Sequence, residues 1–207
     1  MDTPNFLSPI EIIAEPNITN LGKAENLTSE LIRKIKVCEA ATWPEPSWQI
    51  SEENIKNRAN SFAEGFIVCS VGDEVAGFST AMILDYDDTV TSWFQATDNG
   101  TANNHDSDGS HYYIISVTVS PNFQGRGIGG KLLKAHIKLA RNLNKPLVIC
   151  PRVEMSEVTE GNVEAEITKK PKISFYLKNG FAVNRIYVES DQEIQGEQYG
   201  VELEHNS

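Results

Sequence analysis

The sequence predicts a single α+β domain, built on a mixed, mostly antiparallel sheet with helices on its faces. Three observations predict this fold class: apolar segments of period two alternate with helical stripes, a hairpin lies in the first half of the chain, and one strand–helix–strand crossover follows it near the middle. The chain has 207 residues, of which 40% are hydrophobic and 23% charged, and this composition is typical of one globular domain. We expect the domain to span residues 1–207, with its core at about 28–204 and a partial N-terminal extension at 1–26.

The first half of the chain predicts two helices and then a hairpin. Apolar residues recur at helical spacing after a threonine–serine pair at 28–29, either of which can cap a helix, and the next two prolines end this stripe. A polar run after Ser51 predicts a second, shorter helix. The period then changes to two at residues 65–71 and 75–84, on either side of a Gly-Asp turn, which predicts an antiparallel hairpin.

The second half predicts the crossover and two closing strands. Residues 111–120 are apolar and β-branched, as in a buried strand, and a glycine-rich turn leads from them into a helix at about 129–143. A proline ends that helix, and a strand follows at 147–150. A short helix at 173–179 is closed by Gly180, a residue that suits a helix C-terminus. The last two strands are predicted at 181–190 and 198–205.

Four further segments are assigned from composition. We expect short strands at 10–14 and 90–94, a mobile loop at 97–109, and a polar loop at 152–170.

The charge balance excludes two classes of partner. The chain carries 18 lysine and arginine residues against 29 aspartate and glutamate residues, so its formal net charge is −11. A protein with this charge repels nucleic acid and anionic membranes, because both attract a surplus of cations, and it favours cationic partners instead. In addition, no apolar run approaches the roughly 20 residues that a membrane-spanning helix needs.

The cysteines and the N-terminus indicate a reduced compartment. The three cysteines, at 38, 69 and 150, form no Cys-x-x-Cys pair and are odd in number, so they indicate neither a disulfide framework nor a metal site. The N-terminus has no basic segment followed by an apolar one, as a secretory signal would. The sequence therefore predicts a cytoplasmic protein without a metal. It leaves open whether the protein is a monomer or a homodimer.

Residues 117–133 combine the features of a phosphate-binding turn. A strand ends, four glycines follow at 125, 127, 129 and 130, and a helix begins. Glycine permits positive φ and a close approach of the backbone, and the first N–H groups of a helix are unpaired at its positive end. Together these features predict a cradle for a pyrophosphate.

The same glycines leave two other interpretations open. Gly125, Gly127 and Gly130 also satisfy the G-x-G-x-x-G pattern of dinucleotide-binding folds, although Cys150 stands about 20 residues on, where an acidic residue should bind the ribose. A tight strand–helix turn that binds no ligand is the other alternative.

Two motifs together resemble one family. The segment QGRGIG at 124–129, after a Val-x-Val strand end, resembles the Q/R-x-x-G-x-G/A acyl-CoA signature of the GNAT family of N-acetyltransferases. The segment FYLKNGF at 175–181 resembles that family's Y-x-x-x-G-F helix and strand, and the order of strand, glycine turn, helix, strand, helix and strand also matches. The layout is similar, more faintly, to the arylalkylamine N-acetyltransferase branch.

The resemblance implies acetyl-CoA as co-substrate and direct transfer of its acetyl group to an amine. It implies that acetyl-CoA binds where the sheet is splayed, between the strands that end near Val119 and Cys150. By the same match, the backbone of Val117, Thr118 and Val119 pairs with the pantetheine arm, and an N–H group there can polarise the thioester carbonyl. The residues that match the pyrophosphate-binding turn are Gln124, Gly125, Arg126, Gly127, Ile128, Gly129 and Gly130.

Tyr176 is the candidate catalytic acid by this match. A thiol has a pKa of ~8.5 and a phenol ~10, so protonating the departing thiolate is uphill by roughly 2 kcal/mol unless the site tunes either group. Taken without the family match, a tyrosine between Ile173 and Leu177 is also typical of a core position.

The amine also needs a base, since a primary alkylamine with a pKa of ~10.4 is neutral in only about one molecule in ~2,500 at pH 7. The arylalkylamine branch places histidines in the strand before the turn, but Tyr113 and Ile115 occupy the matching positions here. His111 is the candidate base on this strand, and water that passes protons to acidic side chains is the alternative.

The predicted function is therefore acetyl transfer from acetyl-CoA to a small primary amine. Two alternatives remain open: acetylation of a protein or peptide N-terminus, and a module that binds acyl-CoA without catalysis.

Overall fold

The computed structural model describes residues 15–159, 161–189 and 198–205, and the strand predicted at 10–14 lies outside them. The strands are β1 (Asn17–Asn20), β2 (Phe66–Val71), β3 (Glu74–Leu84), β4 (His111–Val119), β5 (Leu147–Ile149), β6 (Arg152–Glu154), β7 (Ala182–Val188) and β8 (Gln198–His205). The helices are α1 (Ser29–Thr42), α2 (Glu52–Ser61), α3 (Trp93–Thr97), α4 (Ile128–Asn142), α5 (Val163–Ile167) and α6 (Pro171–Lys178).

Local sequence accounts for the first two helices. The Thr28 hydroxyl accepts a hydrogen bond from the Leu31 N–H at 3.1 Å, and the Ser51 hydroxyl accepts one from the Asn54 N–H at 3.0 Å. Each hydroxyl thus satisfies one of the N–H groups that a helix leaves unpaired at its start. The first cap settles which residue of the threonine–serine pair precedes α1.

The eight strands form one open, mostly antiparallel sheet, which confirms the predicted α+β fold class. Strands β1 to β4 are antiparallel neighbours, β4 and β5 are parallel, and β5, β6 and β7 all pair antiparallel with β8. Leu203 of β8 pairs with both Ile149 and Val183, so β5 and β7 lie on opposite edges of β8. Helix α4 provides the crossover between the two parallel strands.

A β-bulge divides β4 into two parts. On β3, Thr80 opposes Ser116 and Ala81 opposes Ile114, which leaves Ile115 as an extra residue on β4. An extra residue of this kind reverses which backbone groups face each neighbouring strand.

The hydrogen bonds on either side of the bulge confirm the reversal. Before the bulge, the Tyr112 N–H donates toward β5, to the carbonyl of Pro146. After it, the Ser120 N–H donates to the Ala76 carbonyl beside β3. Because these directions alternate along a strand, the N–H and C=O groups of Val117 and Val119 point away from β3.

Those groups face the splay between β4 and β5. The parallel ladder joins only Tyr112–Ile114 to Leu147–Ile149, and within the described ranges no strand pairs with residues 115–119 on that edge of β4. The sheet is therefore open between the strand ends at Val119 and beside Cys150, as predicted.

Two sequence-based assignments are wrong in part. Residues 90–94 do not form a strand, because the Ser92 hydroxyl accepts from the N–H groups of Phe94 and Gln95 and begins helix α3. The predicted loop at 152–170 contains β6 and α5. Strand β6 exists only because its three residues pair with Gln198–Gly200 of β8, a partner that no local pattern reveals.

The loop at 97–109 is held against the sheet. The Ile83 N–H donates to Nδ1 of His105 at 3.0 Å, and Nδ2 of Asn104 donates to the Ala96 carbonyl at 3.0 Å. The segment is therefore hydrogen-bonded to β3, and its Ala102 packs in a core cluster with Met82 of β3 and Tyr113 of β4.

Two further features concern the cysteines and the helices of the described residues. The three cysteines are buried and unbonded to one another. None of the described helices is long and apolar enough to cross a membrane.

Candidate functional site

The glycine turn between β4 and α4 is open. Gly125 and Gly127 both have φ of +75°, a backbone conformation that favours glycine. A β-carbon placed on either residue would find no described atom within 4 Å. The turn therefore leaves open space at Gly125 and Gly127, just before the first turn of α4, among the residues that the structure describes.

The N–H groups at the start of α4 point toward this space. The first intrahelical hydrogen bond runs from the Lys131 N–H to the Gly127 carbonyl at 3.1 Å. No described residue accepts a hydrogen bond from the N–H groups of residues 128–130, which lie at the positive end of a 15-residue helix. This combination can bind an anion such as a pyrophosphate.

The remaining turn residues shape its wall. Nε2 of Gln124 donates to the Val119 carbonyl at 3.1 Å, which ties the turn to the end of β4. The Arg126 guanidinium lies 5.3 Å from the centre of the Phe123 ring and is otherwise exposed. The Ile128 side chain is buried, so only its backbone can reach a ligand.

Helix α6 packs directly on the start of α4. A β-carbon placed on Gly129 would lie 2.9 Å from Cζ of Phe175, and one placed on Gly130 would lie 3.4 Å from Oδ1 of Asn179. Gly129 therefore permits the close approach of Phe175, whereas a β-carbon at Gly130 would make an ordinary contact with Asn179. Because Phe175 precedes Tyr176, the contact also brings the candidate acid to the same side of the sheet as the turn.

The side chains of β4 after the bulge divide between the two faces. Val117 and Val119 pack toward α4, and the Thr118 hydroxyl points to the opposite face. There it donates to Oε1 of Glu39 at 3.1 Å. The two valines therefore combine apolar side chains in the core with backbone groups at the splay, whereas Thr118 links β4 to α1.

The bulge is held in place by Trp93. Its indole Nε1–H donates to the carbonyl of Ile115, the bulge residue with no paired residue on β3, at 3.0 Å. The guanidinium groups of Arg58 and Arg152 lie 5.9 and 5.5 Å from the Trp93 ring. Helix α3 thus covers the acceptor face, which we define as the face of β4 opposite α4.

A buried arginine completes this face. Arg58 donates from Nε to the Gly100 carbonyl at 2.7 Å and from Nη1 to the Thr80 and Ser116 hydroxyls at 3.1 and 3.2 Å. Burial lowers the pKa of Arg58 to about 10. The guanidinium remains charged at neutral pH and orders the loop that contains Gly100.

Tyr176 is enclosed by aromatic side chains. Its ring centre lies 5.1 Å from that of Phe175 and 5.8 Å from that of Phe181, and 7% of its surface is exposed. Within the described residues, no group forms a hydrogen bond with its hydroxyl. Burial raises the pKa of Tyr176, so the phenol is protonated at neutral pH. Its role as an acid stays a prediction.

His111 lies at the other end of β4. Its Nδ1 is 2.8 Å from the Ser110 hydroxyl, and its ring packs edge-on against Tyr86 at 5.7 Å. Five residues of extended strand, roughly 16 Å, separate it from Ser116. The structure therefore does not bring His111 together with the glycine turn, and its role as a base stays a prediction.

Two residues of the acceptor face were not identified from the sequence. Glu39 is 3% exposed, accepts hydrogen bonds from the Thr118 hydroxyl and the Ile50 N–H, and has a pKa raised mainly by burial. Trp93 lay in a segment assigned to a strand. A charged residue on the apolar stripe of α1 was the one available signal for Glu39, and nothing local marked Trp93.

Comparison with known proteins identifies the family. The model of the acetyltransferase (GNAT) family matches residues 29–181, about three quarters of the chain. The chain belongs to the GNAT acetyltransferase family. This match confirms the resemblance carried by the glycine turn and the α6 motif.

Two curated relatives come from Bacillus subtilis strain 168. The chain is 31% identical over 146 residues to the "Probable hydrolase YhcX", and the match covers 65% of this chain and 28% of YhcX. It is 28% identical over 166 residues to the "Uncharacterized N-acetyltransferase YkwB", and this match covers 74% of each chain. The chain thus corresponds to little more than a quarter of YhcX.

Solved structures show the same GNAT fold. The loading GNATL domain of CurA from Lyngbya majuscula superposes with a TM-score of 0.70 at 17% identity, over 92% of this chain and 97% of that domain. An aminoglycoside 6'-N-acetyltransferase complexed with coenzyme A superposes with a TM-score of 0.62 at 12% identity, over 91% and 95% of the two chains. At these identities the likeness shows the fold.

Proposed function

We propose that this GNAT protein transfers the acetyl group of acetyl-CoA to the nitrogen of a small primary amine. The observation that carries the proposal is the open turn at Gly125 and Gly127, which faces the unpaired N–H groups of α4. A ligand whose anionic group is bound at this turn can extend directly into the splay beside Val117 and Val119. A pyrophosphate fits the unpaired N–H groups of α4, and a pantetheine arm joined to it fits the edge of β4 at Val117 and Val119, with which no described strand pairs.

The proposed reaction is direct attack on the thioester. The amine nitrogen adds to the carbonyl carbon, and the N–H of Val117, which points into the splay, stabilises the negative charge that develops on the carbonyl oxygen. The C–S bond then breaks, and the CoA thiolate takes a proton from the Tyr176 hydroxyl while the nitrogen loses a proton to a base.

Burial affects the proposed acid. It raises the pKa of Tyr176, which makes the phenol a weaker acid. A CoA thiolate released in an enclosed site is also more basic than in water, because desolvation disfavours its charged form. Proton transfer from the phenol to the thiolate requires that this second effect accompany the first.

The acceptor face suits an amine. It contains the buried carboxyl of Glu39, and the chain as a whole carries a net charge of −11, which favours a cationic substrate. Candidate bases are Glu39, His111 and water. The proposal extends to a cytoplasmic protein that acts as a monomer or homodimer and does not require a metal.

A calorimetric titration with CoA tests whether the open turn at Gly125 and Gly127 binds the pyrophosphate. Gly127→Asp places a carboxylate at the helix N-terminus, where it should repel the pyrophosphate and weaken CoA binding at least about tenfold. Gly72→Asp is the matched control, because Gly72 also has positive φ and open space around it but lies in the β2–β3 turn. No heat with the wild-type protein, or equal affinity of the two variants, would contradict the proposal.

A turnover screen then separates the alternatives. CoA thiol release is measured with arylalkylamines, polyamines, amino acids and short peptides. Turnover that requires a peptide N-terminus would indicate a peptide acetyltransferase, and CoA binding without turnover of any amine would indicate a non-catalytic acyl-CoA-binding module.

A further inference from the structure

A chain of three buried side chains crosses the interface between α4 and the sheet. The hydroxyl of Tyr112 lies 2.7 Å from Nδ1 of His136, Nε2 of His136 lies 2.7 Å from Oγ of Ser79, and that hydroxyl donates to the Ser116 carbonyl at 2.7 Å. Tyr112, His136 and Ser79 are each 0% exposed. We call this set the buried relay.

The hydrogen bonds of the relay run in one direction. Because a carbonyl only accepts, the Ser79 hydroxyl donates its single proton to Ser116, and His136 must donate from Nε2 to Ser79. Nδ1 of His136 is then the acceptor for the Tyr112 hydroxyl. Burial lowers the pKa of His136 to about 3, so the ring is neutral and keeps this tautomer.

The relay ends on the Ser116–Val117 peptide, whose N–H group is the proposed hydrogen-bond donor to the oxyanion. Beyond the bulge, the carbonyl of Ser116 faces β3, where Ser79 reaches it. The N–H of the same peptide belongs to Val117 and points the opposite way, into the splay. A hydrogen bond to the carbonyl oxygen of a peptide polarises its N–H, and successive bonds in one direction strengthen one another.

We propose that Tyr112, His136 and Ser79 are positioning residues that orient the Ser116–Val117 peptide and strengthen the Val117 N–H as a donor to the thioester carbonyl. The inference rests on the proposed function, because it assumes that acetyl-CoA lies in the splay. None of the three side chains touches the substrate; they act through the main chain.

Core packing alone does not require this arrangement. Three polar side chains at fully buried positions must all find partners, and apolar residues of similar shape would fill the same volume without that requirement. The Ser116 carbonyl already faces a neighbouring strand, so the bond from Ser79 is additional to the sheet ladder. A relay that ends on this carbonyl, rather than on another side chain, is suited to tune one peptide group.

Infrared spectroscopy can measure the strength of the hydrogen bond from the Val117 N–H to the thioester carbonyl. Acetyl-CoA labelled with ¹³C at the thioester carbonyl is bound to the full chain, and the isotope-edited carbonyl band is compared with that of free acetyl-CoA. We expect the band to shift to lower frequency in the wild type. The shift should be smaller in Tyr112→Phe and smallest in Ser79→Ala, and kcat should fall about tenfold in Ser79→Ala with KM for acetyl-CoA nearly unchanged.

Thr80→Val is the matched control. It also removes a buried hydroxyl from β3, but this hydroxyl lies on the acceptor face and contacts the Ser116 and Arg58 side chains instead of the main chain. We expect it to leave the carbonyl band at the wild-type frequency, even if it lowers stability. Tyr112→Phe retains the ring, so it supplies a second measurement if Ser79→Ala folds poorly.

Each outcome decides between the claims. A wild-type shift that is reduced in the relay variants and kept in Thr80→Val supports the proposal. A shift that is the same in all variants overturns the relay while leaving the proposed function intact. If acetyl-CoA does not bind the wild type, the proposed function and the relay both fail.

Discussion

A β-carbon on Gly129 would lie 2.9 Å from Cζ of Phe175, closer than a β-carbon can normally approach another atom. Helices α4 and α6 can therefore pack this closely because Gly129, the second residue of α4, has no side chain that would collide with Phe175, the fifth residue of α6. Since Tyr176 follows Phe175, the packing of the glycine turn helps to determine where the candidate acid lies.

Gly129→Ala should destabilise the protein and lower turnover, because the added methyl group must displace Phe175 and with it α6. We expect a loss of about 1–3 kcal/mol in the free energy of unfolding, measured by urea titration. Gly130→Ala provides the contrast, since its β-carbon would lie at an ordinary 3.4 Å from Asn179. Alanine is favoured over glycine in a helix, so this variant should gain about 0.5–1 kcal/mol.

A compensating change tests whether Phe175 is the cause. The double variant Gly129→Ala/Phe175→Leu makes room for the new methyl group and should recover part of the lost stability relative to the sum of the single variants. Simple additivity of the two changes would show that the Gly129 effect does not pass through Phe175.

Tyr176→Phe should reduce kcat by roughly 10²–10⁴-fold with little change in acetyl-CoA affinity, because it removes the proton donor and keeps the ring. The measurements are CoA thiol release at saturating amine and calorimetry with CoA. Tyr199→Phe is the matched control, since Tyr199 is a partly buried tyrosine that packs against the same core from β8. Equal turnover of wild type and Tyr176→Phe would rule out the acid role.

Trp93→Phe should lower the free energy of unfolding by about 1–3 kcal/mol, because the Ile115 carbonyl at the bulge loses its donor. Urea titration followed by circular dichroism gives the difference. Trp48→Phe changes the same residue type at a position that is 69% exposed and should have almost no effect. If the two variants are equally stable, the indole hydrogen bond does not support the bulge.

Stability should depend on pH through Glu39. Burial raises the pKa of this carboxyl above its unfolded value, so the folded protein holds the proton longer as pH rises. Stability from this group is therefore present below the unfolded pKa of ~4.3 and is lost as pH rises through the higher folded pKa. Relative to Glu39→Gln, the wild type should lose stability as pH rises above ~4.3, as measured by urea titrations at a series of pH values.

The stability difference between the wild type and Glu30→Gln should change with pH in the opposite direction. A hydrogen bond from Arg33 lowers the pKa of the exposed Glu30 carboxyl, so its contribution is lost as pH falls. A flat difference between wild type and Glu39→Gln over the whole range would mean that the Glu39 carboxyl is not perturbed by folding.

Local pattern was sufficient for most of the secondary structure. Caps such as Thr28 and Ser51, the hairpin period around Gly72 and the prolines after α1 act within a few residues, and the structure has helices and strands where they predict them. The sequence-based assignments are wrong mainly where contacts between distant parts of the chain determine the secondary structure. Strand β6 depends on β8, more than 40 residues away, and Ser92 begins a helix where the apolar pattern favoured a strand.

The sequence by itself determined the α+β class, the family and the glycine turn, because each depends on residue types at short, fixed spacings. The tertiary structure alone decided which face each group of the site occupies. The bulge at Ile115 reverses the backbone of β4, so Val117 rather than Ser116 presents its N–H to the splay. The period-two pattern of the β4 sequence does not reveal the extra residue of the bulge. The bulge changes only how β4 pairs with the neighbouring strand, and that pairing forms in the folded protein. For the same reason Glu39, His136 and Trp93 reach β3 and β4 only because distant elements pack together.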